Sequence, residues 1–168
     1  MPFPESPAPL AQALSARGYD TPTSVQQAVL EPEAHGRDLV VSAQTGSGKT
    51  VAFGLAFADQ VLGDDGQLLS RGAPSALVIA PTRELALQVS KELHWLYEKT
   101  GARIASCVGG MNPQAERRAL KAGATIVVGT PGRLRDHIER GALDLSGLAV
   151  VVLDEADEML DMGFREEL

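Results

Sequence analysis

Asp38-Leu39-Val40-Val41-Ser42-Ala43-Gln44-Thr45-Gly46-Ser47-Gly48-Lys49-Thr50 reads as a strand, a loop and the start of a helix. The apolar run predicts a strand over Asp38–Ser42, and the Gly-rich turn ends it. Ala43 to Thr50 follows the phosphate-loop pattern G-x-x-x-x-G-K-[ST], with Ala43 in place of the first glycine. Gly46 and Gly48 let the backbone wrap closely round a phosphate and turn its N–H groups inward. The helix that follows adds its positive N-terminal end. Lys49 is placed for the β- and γ-phosphates and the Thr50 hydroxyl for Mg²⁺. Ala43, Thr45, Gly46, Ser47, Gly48, Lys49 and Thr50 are therefore the candidate phosphate-binding residues. The competing reading is a plain Gly-rich turn before a helix.

Outward from this unit, apolar runs predict further strands at Ser75–Ala80, Ile104–Val108, Thr125–Val128 and Leu148–Leu153. Helical patterns lie between them at Thr50–Leu62, Glu84–Thr100, Pro113–Ala122 and Gly132–Arg140, with two more at Pro9–Arg17 and Ser24–Glu33 before the first strand. Strands alternating with helices imply crossover connections and a mostly parallel sheet covered on both faces. Residues 63–72 form the one long loop.

The run Leu148-Ala149-Val150-Val151-Val152-Leu153 has the length and β-branching of a strand buried on both faces, and Asp154-Glu155-Ala156-Asp157 follows it directly. Carboxylates at the carboxyl end of such a strand lie where open α/β sheets bind ligands. Asp154 is expected to bind Mg²⁺, largely through water, and Glu155 to orient and deprotonate an attacking water. An acidic first turn of a helix is the alternative.

The chain has 168 residues, 44% of them hydrophobic, which suits one soluble domain. No run approaches a membrane span, and residues 1–5 lack a signal-peptide pattern. Cys107 is the single cysteine, which excludes an internal disulfide and fits a reducing compartment. It reads as a small buried hydrophobe. His35, His94 and His137 show no metal-ligand spacing with Cys107 or with one another. The net charge of −7 is unevenly spread. Residues 154–168 hold seven acids against one base, whereas residues 83–140 hold ten bases against six acids. The middle of the chain can therefore face phosphates despite the overall acidity. Arg117, Arg118 and Lys121 read as a solvated helix face, and Trp95 and Leu96 as packing.

Pro81-Thr82-Arg83-Glu84-Leu85-Ala86, Gly109-Gly110, Thr130-Pro131-Gly132-Arg133 and Asp154-Glu155-Ala156-Asp157 follow the phosphate loop in that order. With these separations the chain strongly resembles the first RecA-like domain of DEAD-box ATP-dependent RNA helicases, over nearly its whole length. The resemblance implies a three-layer RecA-like P-loop NTPase domain (α/β, mostly parallel sheet) over residues 35–168, preceded by a helical region over residues 1–34. It implies ATP and Mg²⁺ as cofactors, RNA as partner and a cytoplasmic setting. Gly18-Tyr19-Asp20-Thr21-Pro22-Thr23-Ser24-Val25-Gln26 resembles the family's adenine-reading Q motif, with Tyr19, Thr23 and Gln26 as candidate nucleotide contacts. A Gln amide can pair with N6 and N7 of adenine together, whereas guanine presents O6 there. Phe3 is the one upstream aromatic for stacking on the base, and lies closer to Gln26 than the family's spacing.

The expected RNA contacts are Pro81, Thr82, Arg83, Gly109, Gly110, Thr130, Pro131, Gly132 and Arg133. Thr82 and Thr130 stand where helix N-caps stand, and Pro131 at the favoured first helical position. Helix starts at strand ends can hold successive backbone phosphates, and such contacts carry little base preference. By resemblance, Asp157 couples the nucleotide site to RNA. The family also carries a Ser-Ala-Thr strand and a second RecA-like domain with arginine fingers, and neither follows Leu168. Loss of an arginine finger costs about 10³–10⁵ in turnover. The chain is therefore expected to bind nucleotide weakly, to hydrolyse ATP negligibly and to be only marginally stable. It is expected to expose one flank of the Leu148–Leu153 strand. A DNA translocase and a non-enzymatic nucleotide- or RNA-binding module remain open, as does an incomplete piece of a longer protein.

Overall fold

The computed structural model describes residues 3, 6–70 and 72–168. Four strands form one parallel sheet: β1 (Ala76–Ile79), β2 (Ile104–Cys107), β3 (Ile126–Gly129) and β4 (Val150–Leu153), in the order β2-β3-β1-β4. They fall on four of the expected runs with ends shifted by no more than two residues, β3 reaching one residue past its expected end to Gly129.

Side-chain alternation along the strands builds two cores, one on each face of the sheet. Ala76 and Val78 of β1, and Ile126 and Val128 of β3, join the larger core. There they meet α1 (Ala8–Ala16), α3 (Lys49–Ala56), α4 (Ala58–Val61) and α5 (Arg83–Leu96), through Leu10, Leu14, Val51, Leu55, Val61, Val89, Leu93 and Leu96. On the opposite face Leu77, Val127, Ala105 and Cys107 pack against α6 (Pro113–Gly123) and α7 (Pro131–Glu139), through Leu120 and Leu134. The result is helix, sheet and helix in three layers. Each fully buried leucine in these cores contributes about 1.5–3 kcal/mol by leaving water.

The expected helices form with altered ends. The one expected over Thr50–Leu62 is split into α3 and α4 at Phe57 (φ −95°, ψ 6°). The one expected over Ser24–Glu33 stops at Val29, giving α2 (Ser24–Val29) and a 3-10 turn at Pro32–Ala34. Pro32 explains the break: it has no N–H to donate, and its ring disfavours the helical conformation at Glu31. Beyond β4 the chain forms α8 (Ala156–Asp161) and a 3-10 turn at Phe164–Glu166.

Two expectations about strands need correcting. Asp38–Ser42 is not a strand: it has no sheet partner, and no backbone hydrogen bond among the described residues involves Leu39, Val40 or Val41. Val40 is fully exposed, with Leu39 and Val41 more than two-fifths exposed. A strand needs a neighbour for its N–H and C=O groups, and apolar periodicity cannot show whether one is present. Likewise β4 is not buried on both faces. Val150 and Val152 pack on the larger core, whereas Val151 and Leu153 are 49% and 46% exposed. In the described sheet β4 pairs with β1 alone, so its other flank is open, as expected.

Candidate active site

All four parallel strands end on the same side of the sheet, the usual ligand side of open α/β folds. Pro81–Arg83 follow β1, Gly109-Gly110 follow β2, Thr130–Arg133 follow β3, and Asp154-Glu155 follow β4. The sheet thereby gathers four strings that are far apart in sequence.

In the phosphate loop Gly46 and Gly48 both adopt left-handed conformations, with φ of 82° and 79°. Gly48 is the N-cap of α3, so Lys49 and Thr50 open that helix. A Cβ on Gly48 would lie 2.4 Å from the Gln26 amide nitrogen, so this approach also requires glycine. Gln26 is fully buried. Its Oε1 accepts from the Thr23 N–H at 3.0 Å, and its Nε2 donates to the Gly48 carbonyl at 3.1 Å. The Thr23 hydroxyl accepts from the Gln26 N–H, completing a capping box on α2. Gln26 thus clamps the phosphate loop to α2, and its amide does not face an open base pocket. Tyr19 stacks on Trp95 at 5.6 Å, and the Arg17 guanidinium lies 4.9 Å from the same indole. Trp95 is buried packing, as expected. Phe3 packs against the larger core.

Lys49 joins the phosphate loop to the acidic pair. Its Nζ lies 3.1 Å from Asp154 Oδ1 and 2.8 Å from Glu155 Oε1. Partial burial acts to lower its pKa, but hydrogen bonds to Glu155 and Asp154 outweigh this and hold the ammonium above its ordinary value. Asp154 is 4% exposed, and its N–H donates to the Ile79 carbonyl at 2.9 Å, carrying the β1–β4 ladder one residue past β4. Glu155 has φ 52°, the one left-handed non-glycine among the described residues. That conformation costs about 1–3 kcal/mol and turns the chain sharply from β4 into α8. The residues suit Mg²⁺ and phosphate: hard oxygen donors on Thr50 and Asp154, and a buried Ser47 hydroxyl with no partner in the protein.

The second cluster surrounds Met111. The Arg83 Nη2 lies 3.8 Å from the Met111 sulfur, and a Cβ on Gly110 (φ 82°) would meet Arg83 Nη1 at 2.6 Å. Arg133 Nη1 donates to the Met111 carbonyl at 3.4 Å and to Glu116 Oε1 at 3.0 Å. The Thr82 hydroxyl caps α5 by accepting from the Leu85 N–H, and Pro131 opens α7. Thr130 holds the N-cap position of α7 but makes no side-chain capping bond.

Sequence reasoning passed over Glu116. Its carboxylate lies within 4.8 Å of His137 and the Cys107 thiol, which the sequence separates widely. Burial, with the Glu116 charge, pushes the Cys107 thiol up to about 12, so it holds its proton at neutral pH. Both oxygens of Glu116 are engaged by protein donors. His137 Nδ1 is buried without a hydrogen-bond partner, but with the Glu116 oxygens occupied and the Cys107 thiol protonated the cluster is not read as a metal centre.

The three layers and the phosphate loop define the class: a RecA-like P-loop nucleotide-binding domain. The profile of the DEAD/DEAH box helicases matches residues 23–168, and the chain belongs to that family. It is 46% identical over 162 residues to the ATP-dependent RNA helicase DeaD of Escherichia coli K12, covering 96% of this chain and 25% of that protein. It is 42% identical to the DEAD-box ATP-dependent RNA helicase CshA of Geobacillus kaustophilus, covering 94% of this chain and 32% of that one. The crystal structure of a DEAD box protein from Methanococcus jannaschii superposes with a TM-score of 0.85 at 36% identity, covering 98% of this chain and 43% of that chain. The chain thus spans about a quarter to a third of the curated relatives it matches. No helix among the described residues is long and apolar enough to cross a membrane.

Proposed function

We propose that the chain is the ATP-binding and RNA-contacting part of an ATP-dependent RNA helicase, in which ATP hydrolysis drives local duplex unwinding in the cytoplasm. The observation that carries this reading is the contact of Lys49 with both Asp154 and Glu155. It makes one site of the phosphate loop and the acidic pair.

In this reading Ala43 and Thr45–Thr50 cradle the triphosphate, and Lys49 exchanges its carboxylate partners for the β- and γ-phosphates. Thr50 and Asp154 hold Mg²⁺, largely through water, which when bound neutralises charge developing on the phosphates. Glu155, released from Lys49, accepts the proton of the attacking water. Tyr19, Thr23 and Gln26 select adenine. Because Gln26 is fully buried with its amide bonded to Thr23 and Gly48, direct reading of the base requires that amide to turn outward. The strings at Pro81–Arg83, Gly109-Gly110 and Thr130–Arg133 hold the RNA backbone with little base preference. Asp157 couples the two sites, and a second RecA-like domain completes the reaction centre.

The test is equilibrium binding of a fluorescent ATP analogue with Mg²⁺, alongside hydrolysis. Lys49→Ala should weaken binding about tenfold or more by removing the phosphate cation. Glu155→Gln should leave binding largely intact. Hydrolysis by the chain alone should be negligible with or without RNA. Equal affinity for ADP and GDP would remove the adenine reading, and unaltered binding by Lys49→Ala would remove the phosphate site.

A further inference from the structure

Glu116 is buried on α6 at 6% exposure, and a buried carboxylate is stable only with donors around it. It has three. Oε2 accepts from the Val108 N–H at 3.0 Å. Oε1 lies 3.0 Å from Arg133 Nη1 and 2.8 Å from His137 Nε2. Val108 immediately precedes Gly109-Gly110, and Arg133 closes Thr130-Pro131-Gly132-Arg133. One carboxylate therefore bridges two strings that the proposed function places against RNA.

The bridge also orients Arg133. Its Nη1 is taken by Glu116 and Met111, and among the described residues Nε and Nη2 make no hydrogen bond. The guanidinium is held by one corner, with side-chain exposure of 15%, so its remaining donors keep a fixed direction. Hydrophobic packing in place of the whole ion pair could be equally or more stable, so stability alone does not call for a carboxylate at this place. What an apolar residue cannot do is hold an N–H on one oxygen and two side chains on the other.

We infer that Glu116 is a positioning residue for RNA binding: with His137 behind it, it sets the Gly109-Gly110 turn and the Arg133 guanidinium at the spacing that engages neighbouring phosphates. This inference rests on the RNA-contacting role proposed for those strings. Glu116→Gln is nearly isosteric and tests the charge and the geometry together. An amide oxygen kept toward Arg133 and His137 turns the NH₂ group against the Val108 N–H. The reverse orientation sets it against the guanidinium.

The experiment is a double-mutant cycle on the whole chain, read by anisotropy of a fluorescein-labelled single-stranded oligouridylate at fixed salt. A fluorescent ATP analogue is titrated in parallel. Arg133→Ala should weaken RNA binding about fivefold. Glu116→Gln should weaken it about threefold or more, and the double variant should lose clearly less than the product of the two single losses, because part of the effect of Glu116 runs through Arg133. Nucleotide affinity should stay unchanged throughout, which a general loss of structure would not allow. If Glu116→Gln lowers the folded fraction, His137→Gln, which leaves the Glu116 charge in place and changes only the group behind it, should give the same selective loss. Additive losses, a parallel fall in nucleotide affinity, or wild-type RNA binding by both Glu116→Gln and His137→Gln would overturn the inference. If Arg133→Ala leaves RNA binding unchanged, the parent reading of that string fails and the inference falls with it. If Arg133→Ala weakens binding while the other two do not, the parent reading stands and the inference alone fails.

Discussion

At the scale of single residues, the chemistry near the sheet end depends on what burial does to ionisable groups. Cys107 shows the effect in isolation. Its folded pKa of about 12 lies above its ordinary 9.0, so the folded state keeps a proton that the unfolded state sheds. A raised pKa gives stability that is complete below the unfolded value and lost as pH rises from there through the folded value. The chain should therefore lose stability from about pH 9 upward, and Cys107→Ala should make that decline shallower. Thermal melts across that range, at constant salt, read the difference directly. A native Cys107 should also resist thiol reagents at neutral pH. Individual residues were unevenly legible. Lys49, Asp154 and Glu155 were legible as one candidate group, because motif spacing anticipates the contact that brings them together. Glu116 carried none, because its partners Val108, Arg133 and His137 come together only when α6 and α7 fold onto the same face. Gln26 was legible as a candidate nucleotide contact, but its burial against Gly48 was not.

At the scale of elements, caps account for why helices start where they do. The Thr82 hydroxyl accepts from the Leu85 N–H at 3.2 Å, and Asn112 Oδ1 accepts from the Gln114 and Ala115 N–H groups at 2.9 and 3.4 Å. Thr130 occupies the same kind of position without such a bond. Thr82→Ala and Asn112→Ala should each lower folding stability by about 1 kcal/mol, and Thr130→Ala by clearly less. Chemical denaturation of the three variants, compared at a common slope, separates them. Most helices could be placed from caps, Pro and periodicity, since those signals are local. The ends that shifted did so for reasons outside the local pattern. α3 breaks at Phe57, where that ring and Tyr97 stack at 6.0 Å and the Tyr97 hydroxyl donates to the Gly54 carbonyl at 2.6 Å. The Asp38–Ser42 run was the clearest misreading: its residues favour a strand, but strands are properties of pairs.

At the scale of the whole molecule, the sheet has one protected and one unprotected side at β4. Val151 and Leu153 form an apolar strip on an edge strand, the arrangement through which sheets associate. Val151→Lys should reduce concentration-dependent association of the chain, measured by light scattering, while leaving the melting transition within about 0.5 kcal/mol of the parent. The three-layer architecture was legible in advance because alternating periodicity names the class of sheet. Which strands lie side by side was not, since neighbours are set by crossover topology. The unpaired segment before the phosphate loop has its own thermodynamic consequence. The loop is anchored downstream, where Gln26 holds Gly48 and Lys49 opens α3, but upstream it follows Leu39–Val41, whose backbone makes no hydrogen bond among the described residues. Apparent affinity equals intrinsic affinity multiplied by the fraction of molecules whose loop is already in binding shape. By reciprocity, whatever docks beside Leu39–Val41 tightens nucleotide binding by the same factor that nucleotide tightens the docking.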